Sequence, residues 1–197
     1  MSQTSHIQYP ELQGKVAVIT GAGRHAGLGE AMAKRLASEG CKVIITDIGK
    51  ASGAHMPESA IGTTDEMQKI VDDIKAAGGE ASSFICNVLN PDEVKAAAQF
   101  AVDIYGSLDI WVNNAGIGYL MKPILEMDVD EWDAVLNVNL RGTFLGIKFA
   151  AEKMVELGNG GKIINIGSQA SKSAFAHASA YTTSKHGMNG LTRVSAQ

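Results

Sequence analysis

Residues 15–40, K-V-A-V-I-T-G-A-G-R-H-A-G-L-G-E-A-M-A-K-R-L-A-S-E-G, decide the fold of this chain. Residues 15–20 form a short run rich in β-branched side chains, which predicts a buried strand. A cluster of four glycines follows, and residues 30–39 are then rich in alanine and leucine, which favours a helix. Gly40 is placed to end that helix. A strand, a glycine-rich turn and a helix in direct succession predict the first unit of an open α/β sheet.

The same alternation of strand and helix continues along the chain. Further strands are predicted at residues 42–46, 81–88, 108–113 and 162–166. Helices are predicted from the capping box at residues 63–66, from Asn90 with Pro91 as its first residue, over 131–156, and from Ala178 onward. Because such alternation produces parallel sheets covered on both faces, we expect a Rossmann-type doubly wound sheet in a three-layer α/β/α sandwich. Residues 15–197 are expected to form one domain after a polar leader, residues 1–14.

Composition excludes several classes of protein. The 197 residues are 45% hydrophobic and 19% charged, with a formal net charge of −4, which is typical of a globular enzyme. No basic cluster indicates a nucleic-acid surface, and no apolar run approaches the ~20 residues of a membrane span. The leader lacks the pattern of a secretory signal, so we expect a cytoplasmic protein. In that compartment Cys41 and Cys86 are better read as buried hydrophobic side chains than as a disulfide.

The glycine-rich turn has the features of a phosphate-binding site. Glycines let the backbone approach a pyrophosphate, and the N-terminus of the following helix offers unpaired N–H donors and a partial positive charge. Asp47 ends the second strand, where a carboxylate can accept hydrogen bonds from ribose hydroxyls and would repel a 2′-phosphate. This favours NAD over NADP. Arg24 and His25 leave NADP open, since a cation in this turn could meet a 2′-phosphate; both could equally be solvated or contact the pyrophosphate.

A second motif lies in residues 168–185, S-Q-A-S-K-S-A-F-A-H-A-S-A-Y-T-T-S-K. Tyr181 and Lys185 are four residues apart, so on a helix they share one face. A tyrosine has an ordinary pKa near ~10, and a neighbouring ammonium lowers that pKa toward neutrality. Ser168 follows the fifth predicted strand, at the sheet edge where open α/β folds bind their ligands. The pair could also be an ordinary surface tyrosine with a lysine neighbour.

Taken together, these motifs resemble the short-chain dehydrogenase/reductase family over residues 15–197. Thr20-Gly21 with Gly27 and Gly29 is similar to the family's glycine motif. Asn113-Asn114-Ala115-Gly116 reproduces its N-N-A-G element. Asn139 falls at the position of the family's catalytic asparagine, Ser168 precedes Tyr181 by 13 residues, and Tyr181-x-x-x-Lys185 completes the set.

The resemblance implies a role for each of these residues. Tyr181 would exchange a proton with the substrate oxygen, Lys185 would lower the pKa of Tyr181 and hold the nicotinamide ribose, Ser168 would orient the substrate oxygen, and Asn139 would anchor a water of a proton relay. No metal is expected. The cofactor-binding residues implied are Gly21, Gly23, Arg24, Gly27, Leu28, Gly29, Asp47, Asn87, Val88, Asn114, Ala115, Gly116, Tyr181 and Lys185. Substrate contacts are expected from Tyr119, Gln169 and His177, with Gly118, Ala170 and Phe175 beside them.

Four departures from the family pattern stand out. The glycine turn is two residues longer than usual, and Asn87 stands where many members have an aspartate that reads adenine. The loop over residues 48–62 is also long, and it could fold over the adenosine end of the cofactor or reach a neighbouring subunit. The sixth and seventh strands of the family do not follow Gln197, so the sheet is expected to be incomplete at its C-terminal side.

The sequence therefore predicts an NAD(H)-dependent oxidoreductase acting on a neutral secondary alcohol or ketone, assembled as a homotetramer or homodimer. The resemblance implies pairing through the long helix and the helix that carries Tyr181. Alternatives are an NADP(H)-dependent ketone or 3-oxoacyl reductase, a sugar epimerase or dehydratase that shares Y-x-x-x-K, and a member that binds nucleotide without catalysis.

Overall fold

The computed structural model describes residues 9–51 and 55–197. Residues 1–8 of the predicted leader lie outside the described residues. Residues 9–14 contain a 3-10 turn at Pro10–Leu12. The strands are β1 Val16–Thr20, β2 Lys42–Asp47, β3 Glu80–Ile85, β4 Ile110–Asn113 and β5 Lys162–Asn165. The helices are α1 Leu28–Ser38, α2 Thr64–Ala76, α3 Pro91–Tyr105, α4 Val129–Leu136, α5 Gly142–Leu157 and α6 Ser179–Ser195.

The strands form a single parallel sheet in the order β3-β2-β1-β4-β5. The chain moves outward from β1 through β2 to β3, and then returns to place β4 on the other side of β1. The point of reversal lies between β1 and β4, where open α/β sheets form a crevice at the carboxyl ends of their strands. The Rossmann-type doubly wound sheet predicted from the sequence is confirmed.

Two hydrophobic cores cover the two faces of the sheet, because successive strand residues point to opposite sides. Ile19 and Ile45 pack on one face with α1 and α2, where Ile70 is fully buried. On the other face Val18 and Trp111 pack with α3 and α5. Both cores are built from the segments predicted to be buried strands. The packing of the helices on the sheet therefore fixes where each strand ends and where the following loop lies.

Local capping signals define several helix ends. The predicted capping box at Thr63 is present: its hydroxyl accepts from the Glu66 N–H at 3.2 Å, and the Glu66 carboxylate accepts from the Thr63 N–H at 3.1 Å. Asn90 caps α3 through the N–H of Asp92 at 3.0 Å. None of the described helices combines the length and the apolar composition that crossing a bilayer requires.

Several element boundaries differ from the sequence expectation by one to three residues, and two of these differences bear on the site. The third strand ends at Ile85 rather than at residue 88, because the Asn87 Oδ1 accepts from the Leu89 N–H at 3.0 Å and turns the chain. The long helix predicted over residues 131–156 runs from Val129 to Leu157, and the segment Asn137–Arg141 within it is π-helical. Such a bulge changes which side chains face inward and often lies at a functional site.

Candidate active site

The glycine turn after β1 forms a cradle that only glycine can line. Gly21 has φ +62°, and a Cβ there would lie 2.6 Å from the Cα of Ala115. A Cβ at Gly29 would lie 2.5 Å from the Cα of Ala22. Helix α1 starts after Gly27 with no side-chain cap, so its first N–H groups are available to an anion. The cradle therefore fits the pyrophosphate of a dinucleotide.

The extra residues of the turn are held by Glu30 in α1. Its carboxylate accepts from the Ala26 N–H at 2.6 Å and lies 3.1 Å from Nδ1 of His25 and 2.8 Å from Nζ of Lys34. Burial alone would raise the pKa of Glu30, but these hydrogen bonds together lower it. His25 thus packs against α1, whereas Arg24 is exposed and donates from Nη1 to the Ser59 carbonyl at 3.0 Å.

Asp47 is buried at the end of β2 and joins two loops. Its Oδ2 accepts from the Gly23 N–H at 3.0 Å and its Oδ1 from the Ile48 N–H at 2.9 Å, and the Gly62 N–H is a third donor. Burial raises the pKa of this carboxyl above its ordinary value, against the effect of the three donors. A carboxylate has about four acceptor positions. Asp47 therefore keeps about one for a ribose hydroxyl.

The N-N-A-G element connects β4 to the glycine turn. The Thr20 hydroxyl accepts from the N–H groups of Asn114 and Ala115, both at 3.1 Å. The Asn114 amide in turn donates to the carbonyls of Thr20 and Gly21, both at 2.9 Å. Asn113 instead accepts from the indole of Trp111 at 2.8 Å within the sheet. The element thereby fixes the crevice between β1 and β4.

Asn139 lies in the π-helical segment with no exposed surface. Its Oδ1 accepts from the Ile117 N–H at 2.8 Å, and its Nδ2 donates to the Ile117 carbonyl at 2.9 Å and to Oγ of Ser184 at 3.1 Å. The Ser184 hydroxyl donates to the Tyr181 carbonyl at 2.7 Å. Asn139 therefore ties the loop after β4 to the turn of α6 that carries Tyr181.

Tyr181 and Lys185 occupy one face of α6, as predicted. Lys185 Nζ lies 5.8 Å from the centroid of the Tyr181 ring and donates to the Ile166 carbonyl, after β5, at 2.7 Å. The lysine is only 5% exposed, and burial lowers its pKa to about 8. A Cβ at Gly118 would lie 3.1 Å from Cε2 of Tyr181, so the ring packs directly on the backbone there.

Ser168 begins a 3-10 turn, Gln169–Ser171, just beyond β5. Its hydroxyl accepts from the Ala170 N–H at 3.1 Å, and its own N–H donates to Oγ of Ser171 at 3.1 Å. The turn is fastened to α6 because Asn189 Nδ2 donates to the Ser171 carbonyl at 2.9 Å. The Ser168 hydroxyl is thus fixed as an acceptor and retains its own proton to donate.

The residues expected to touch substrate lie around these groups. A bridge between Lys122 and Ala178 brings the segment after Tyr119 beside His177, which is exposed with φ +64°. Gln169 is also exposed, and its amide donates to Ser173 at 3.3 Å. The Tyr119 hydroxyl donates to the His55 carbonyl at 2.5 Å. Tyr119 is thereby joined to the long loop after β2.

A cavity of about 230 Å³ runs along the crevice between the glycine turn and the loops after β2, β3 and β4. The described part of the long loop lines it, and the closure of this loop over the adenosine end of a cofactor stays a prediction. Asn87 also lies there, with its Oδ1 bonded to the Leu89 N–H and a second lone pair left over. Lining residues include Gly21, Arg24, Gly27, Leu28, Gly29, Asp47, Met56, Ile61, Asn87, Val88, Asn114, Ala115 and Gly116.

Three contributors to the site were missed by sequence reasoning. Ser184 follows Tyr181 by three residues and so shares its helix face, a signal that spacing alone could have revealed. Met56 and Ile61 line the cavity from a loop with no hydrophobic period. Nothing in the sequence marks those two as neighbours of the glycine turn.

The parallel sheet, the uncapped helix and the glycine cradle are the features of a Rossmann-type α/β fold whose crevice fits a dinucleotide. The profile of the short chain dehydrogenase family matches residues 15–197. The uncharacterized oxidoreductase YxbG of Bacillus subtilis is 40% identical over 185 residues, covering 94% of this chain and 61% of that protein. A cyclohexanol dehydrogenase of an Acinetobacter strain is 34% identical over 190 residues, covering 96% and 69%.

A solved structure agrees with these relatives. The crystal structure of a metagenomic short-chain oxidoreductase in complex with NADP is similar with a TM-score of 0.76 and 38% identity, covering 91% of this chain and 74% of that one. The chain belongs to the short-chain dehydrogenase/reductase family, as the motifs predicted. It spans 61% and 69% of the length of the two relatives above.

Proposed function

We propose that this chain carries the cofactor site and catalytic residues of an oxidoreductase that transfers a hydride between NAD(H) and a secondary alcohol or ketone. The observation that carries the proposal is the buried Lys185 beside Tyr181, 5.8 Å from its ring centroid. Burying a cation costs free energy unless the cation is paired or hydrogen-bonded, so a buried lysine indicates a functional site. Here the cation lies beside the ring of Tyr181, one helical turn away.

Tyr181 is proposed as the group that exchanges a proton with the substrate oxygen. A side chain held beside the reacting oxygen can give or take a proton in the transition state, which is general acid–base catalysis. When bound, the nicotinamide cofactor supplies or accepts the hydride. Lys185 has a second donor function, since its ammonium carries three protons and the Ile166 carbonyl takes one. The remaining protons are available for the nicotinamide ribose and for a proton relay.

Ser168 and Asn139 are proposed to position the reacting groups. The Ser168 hydroxyl keeps its proton for the substrate oxygen, because the bond from the Ala170 N–H uses only a lone pair. The Asn139 amide has partners on both of its polar atoms, so its main role would be to hold Ile117 and Ser184. A relay water would use the second lone pair of Asn139 Oδ1 or the Asn139 carbonyl, which already accepts from Thr143 at 2.7 Å.

The preference for NAD rests on Asp47. Its carboxylate faces the cavity, has room for one more hydrogen bond, and would repel a 2′-phosphate. Two observations favour the alternative of an NADP(H)-dependent ketone reductase. Arg24 is an exposed cation on the rim of the same cavity, and the similar metagenomic oxidoreductase was solved in complex with NADP.

The substrate surface and the assembly are proposed from exposed side chains. The exposed Tyr119, Gln169 and His177 would contact a neutral substrate. Phe144 and Val155, 47% and 81% exposed on α5, leave an apolar surface that suits pairing of two copies into a homodimer or homotetramer. Sedimentation as a monomer at micromolar concentration would contradict the assembly.

The test combines cofactor binding with turnover. We expect NADH to raise the melting temperature, since a ligand at ~100 times its dissociation constant adds about 2.7 kcal/mol to the free energy of unfolding. NADPH should raise it less. The variant Tyr181→Phe should keep the NADH effect and lose at least about 100-fold in turnover of cyclic and acyclic secondary alcohols.

Each outcome separates one part of the proposal. A larger rise of the melting temperature with NADPH would mean that the attraction of Arg24 for a 2′-phosphate exceeds the repulsion by Asp47. No stabilisation by either nucleotide would overturn the cofactor site. Undiminished turnover in Tyr181→Phe would overturn the proposed mechanism while leaving nucleotide binding intact.

A further inference from the structure

Residues 55–62, named here the cover, lie over the cofactor cavity. Met56, Ala60 and Ile61 line the cavity from this side. Met56 packs against the hydrophobic cluster that contains Val88 and Ile117, on the opposite side of the crevice. The cover thus spans the crevice from the glycine turn to the loop after β4.

The two ends of the cover are attached in different ways. At its C-terminal end, Gly62 packs against the backbone of Gly23, where a Cβ at Gly62 would lie 2.1 Å from the Gly23 carbonyl carbon. Asp47 binds the N–H groups of both glycines. This end is buried and joined to the sheet. It behaves as the fixed base of the cover.

The remainder is held by two donors from outside it. The Tyr119 hydroxyl bonds the His55 carbonyl at 2.5 Å, and Arg24 Nη1 bonds the Ser59 carbonyl at 3.0 Å. Both donors belong to exposed residues. Each bond of this kind contributes little net stability because water competes for it, so both can break and re-form readily. Burial raises the pKa of Tyr119, which keeps its phenol a donor at neutral pH.

The cavity can hold only part of a dinucleotide while the cover stays in place. At about 230 Å³ it is smaller than the ~300 Å³ at which small-molecule sites begin, and a dinucleotide lies well above that minimum. The glycine turn and the loop after β4 cannot move apart to make room. Gly21 packs against Ala115, and the Asn114 amide donates a hydrogen bond to the Gly21 carbonyl. In the part of the chain that the structure describes, residues 55–59 of the cover receive hydrogen bonds from Tyr119 and Arg24, which are both exposed.

We propose that residues 55–60 form a gate over the cofactor site, held closed by Tyr119 and Arg24, and that its opening limits both admission and release of the nucleotide. This gate rests on the proposed cofactor site. It gives Tyr119 a role in nucleotide exchange, next to its expected contact with substrate. We expect the same two bonds to re-form over the part of the bound nucleotide that lies beneath the gate, so weakening them should accelerate both rates together.

The test uses Tyr119→Phe and Arg24→Met, with Tyr105→Phe as the matched control. Tyr105 also bonds through its hydroxyl, to Ser82 at 3.0 Å, but on α3 away from the cavity. Stopped-flow fluorescence would measure association and dissociation of NADH, with a parallel series for NADPH. We expect both rate constants to rise by about 2- to 10-fold in each gate variant, with the dissociation constant changed less than 2-fold. The control should match the unaltered protein.

Hydrogen exchange in the cofactor-free protein gives an independent readout. In Tyr119→Phe the amides of Ala60 and Ile61, which bond to carbonyls within the cover, should exchange faster. Nucleotide rates unchanged in both variants, or a change confined to dissociation, would overturn the gate alone. Failure of the unaltered protein to bind either nucleotide would overturn the proposed function, and the gate with it.

Discussion

Tyr181 depends on a glycine that belongs to no recognisable motif. The ring packs on Gly118, and an added Cβ there would lie 3.1 Å from Cε2 and 3.4 Å from Cδ2. Contacts of that length force the ring to shift by a few tenths of an ångström. Proton transfer depends steeply on such distances, since a displacement of ~1 Å can cost about 100-fold in rate.

We therefore expect Gly118→Ala to lower turnover by about 3- to 10-fold while the dissociation constant for NADH changes less than 2-fold. Steady-state kinetics with a fixed secondary alcohol would measure the first and fluorescence titration the second. Gly190→Ala is the control. Gly190 lies in α6, the helix that carries Tyr181, and an added Cβ there would have no atom within 4 Å. Full activity in Gly118→Ala would show that the ring tolerates the displacement.

At the scale of secondary structure, local signals predicted most elements. The capping residues Thr63 and Asn90 define helix starts because they act on N–H groups two or three positions away. The buried strands β1 and β2 follow from runs rich in β-branched residues. The end of β3 was predicted three residues too late because Asn87 bonds its own neighbouring backbone, and composition gives no measure of that turn.

The π-helical segment Asn137–Arg141 could not be predicted from its own residues. It places the Asn139 side chain against Ile117, which is 22 positions away in the sequence. The spacing of Tyr181 and Lys185 was predictable because one turn of helix joins them. The bond from Lys185 to Ile166 and the cover over the cavity depend on how separate elements pack, and sequence periodicity does not record that packing.

For the whole molecule, the burial of Lys185 lowers the free energy of unfolding by an amount that depends on pH. Burial lowers the pKa of Lys185 from 10.5 to about 8 in the folded state. Between those values the unfolded state binds more protons than the folded state, so the free energy of unfolding rises with pH. The cost is fully present below pH 8 and is relieved as the pH approaches 10.5. Cys41 and Cys86 act in the opposite direction, since burial raises their pKa values to about 11 and about 12.

Comparison with Lys185→Met isolates the lysine, because both proteins keep the two cysteines. Relative to this variant, the unaltered protein should gain about 1–2 kcal/mol of unfolding free energy between pH 7.5 and 9.5, from at most about 1.4 kcal/mol per pH unit. Urea unfolding at several pH values would measure it. Lys69→Met, which removes an exposed lysine from α2, should follow the unaltered protein across the range. If the difference between the unaltered protein and Lys185→Met stayed constant with pH, Lys185 would not change its protonation on unfolding there. The charge proposed to act on Tyr181 would then persist to higher pH than its burial indicates.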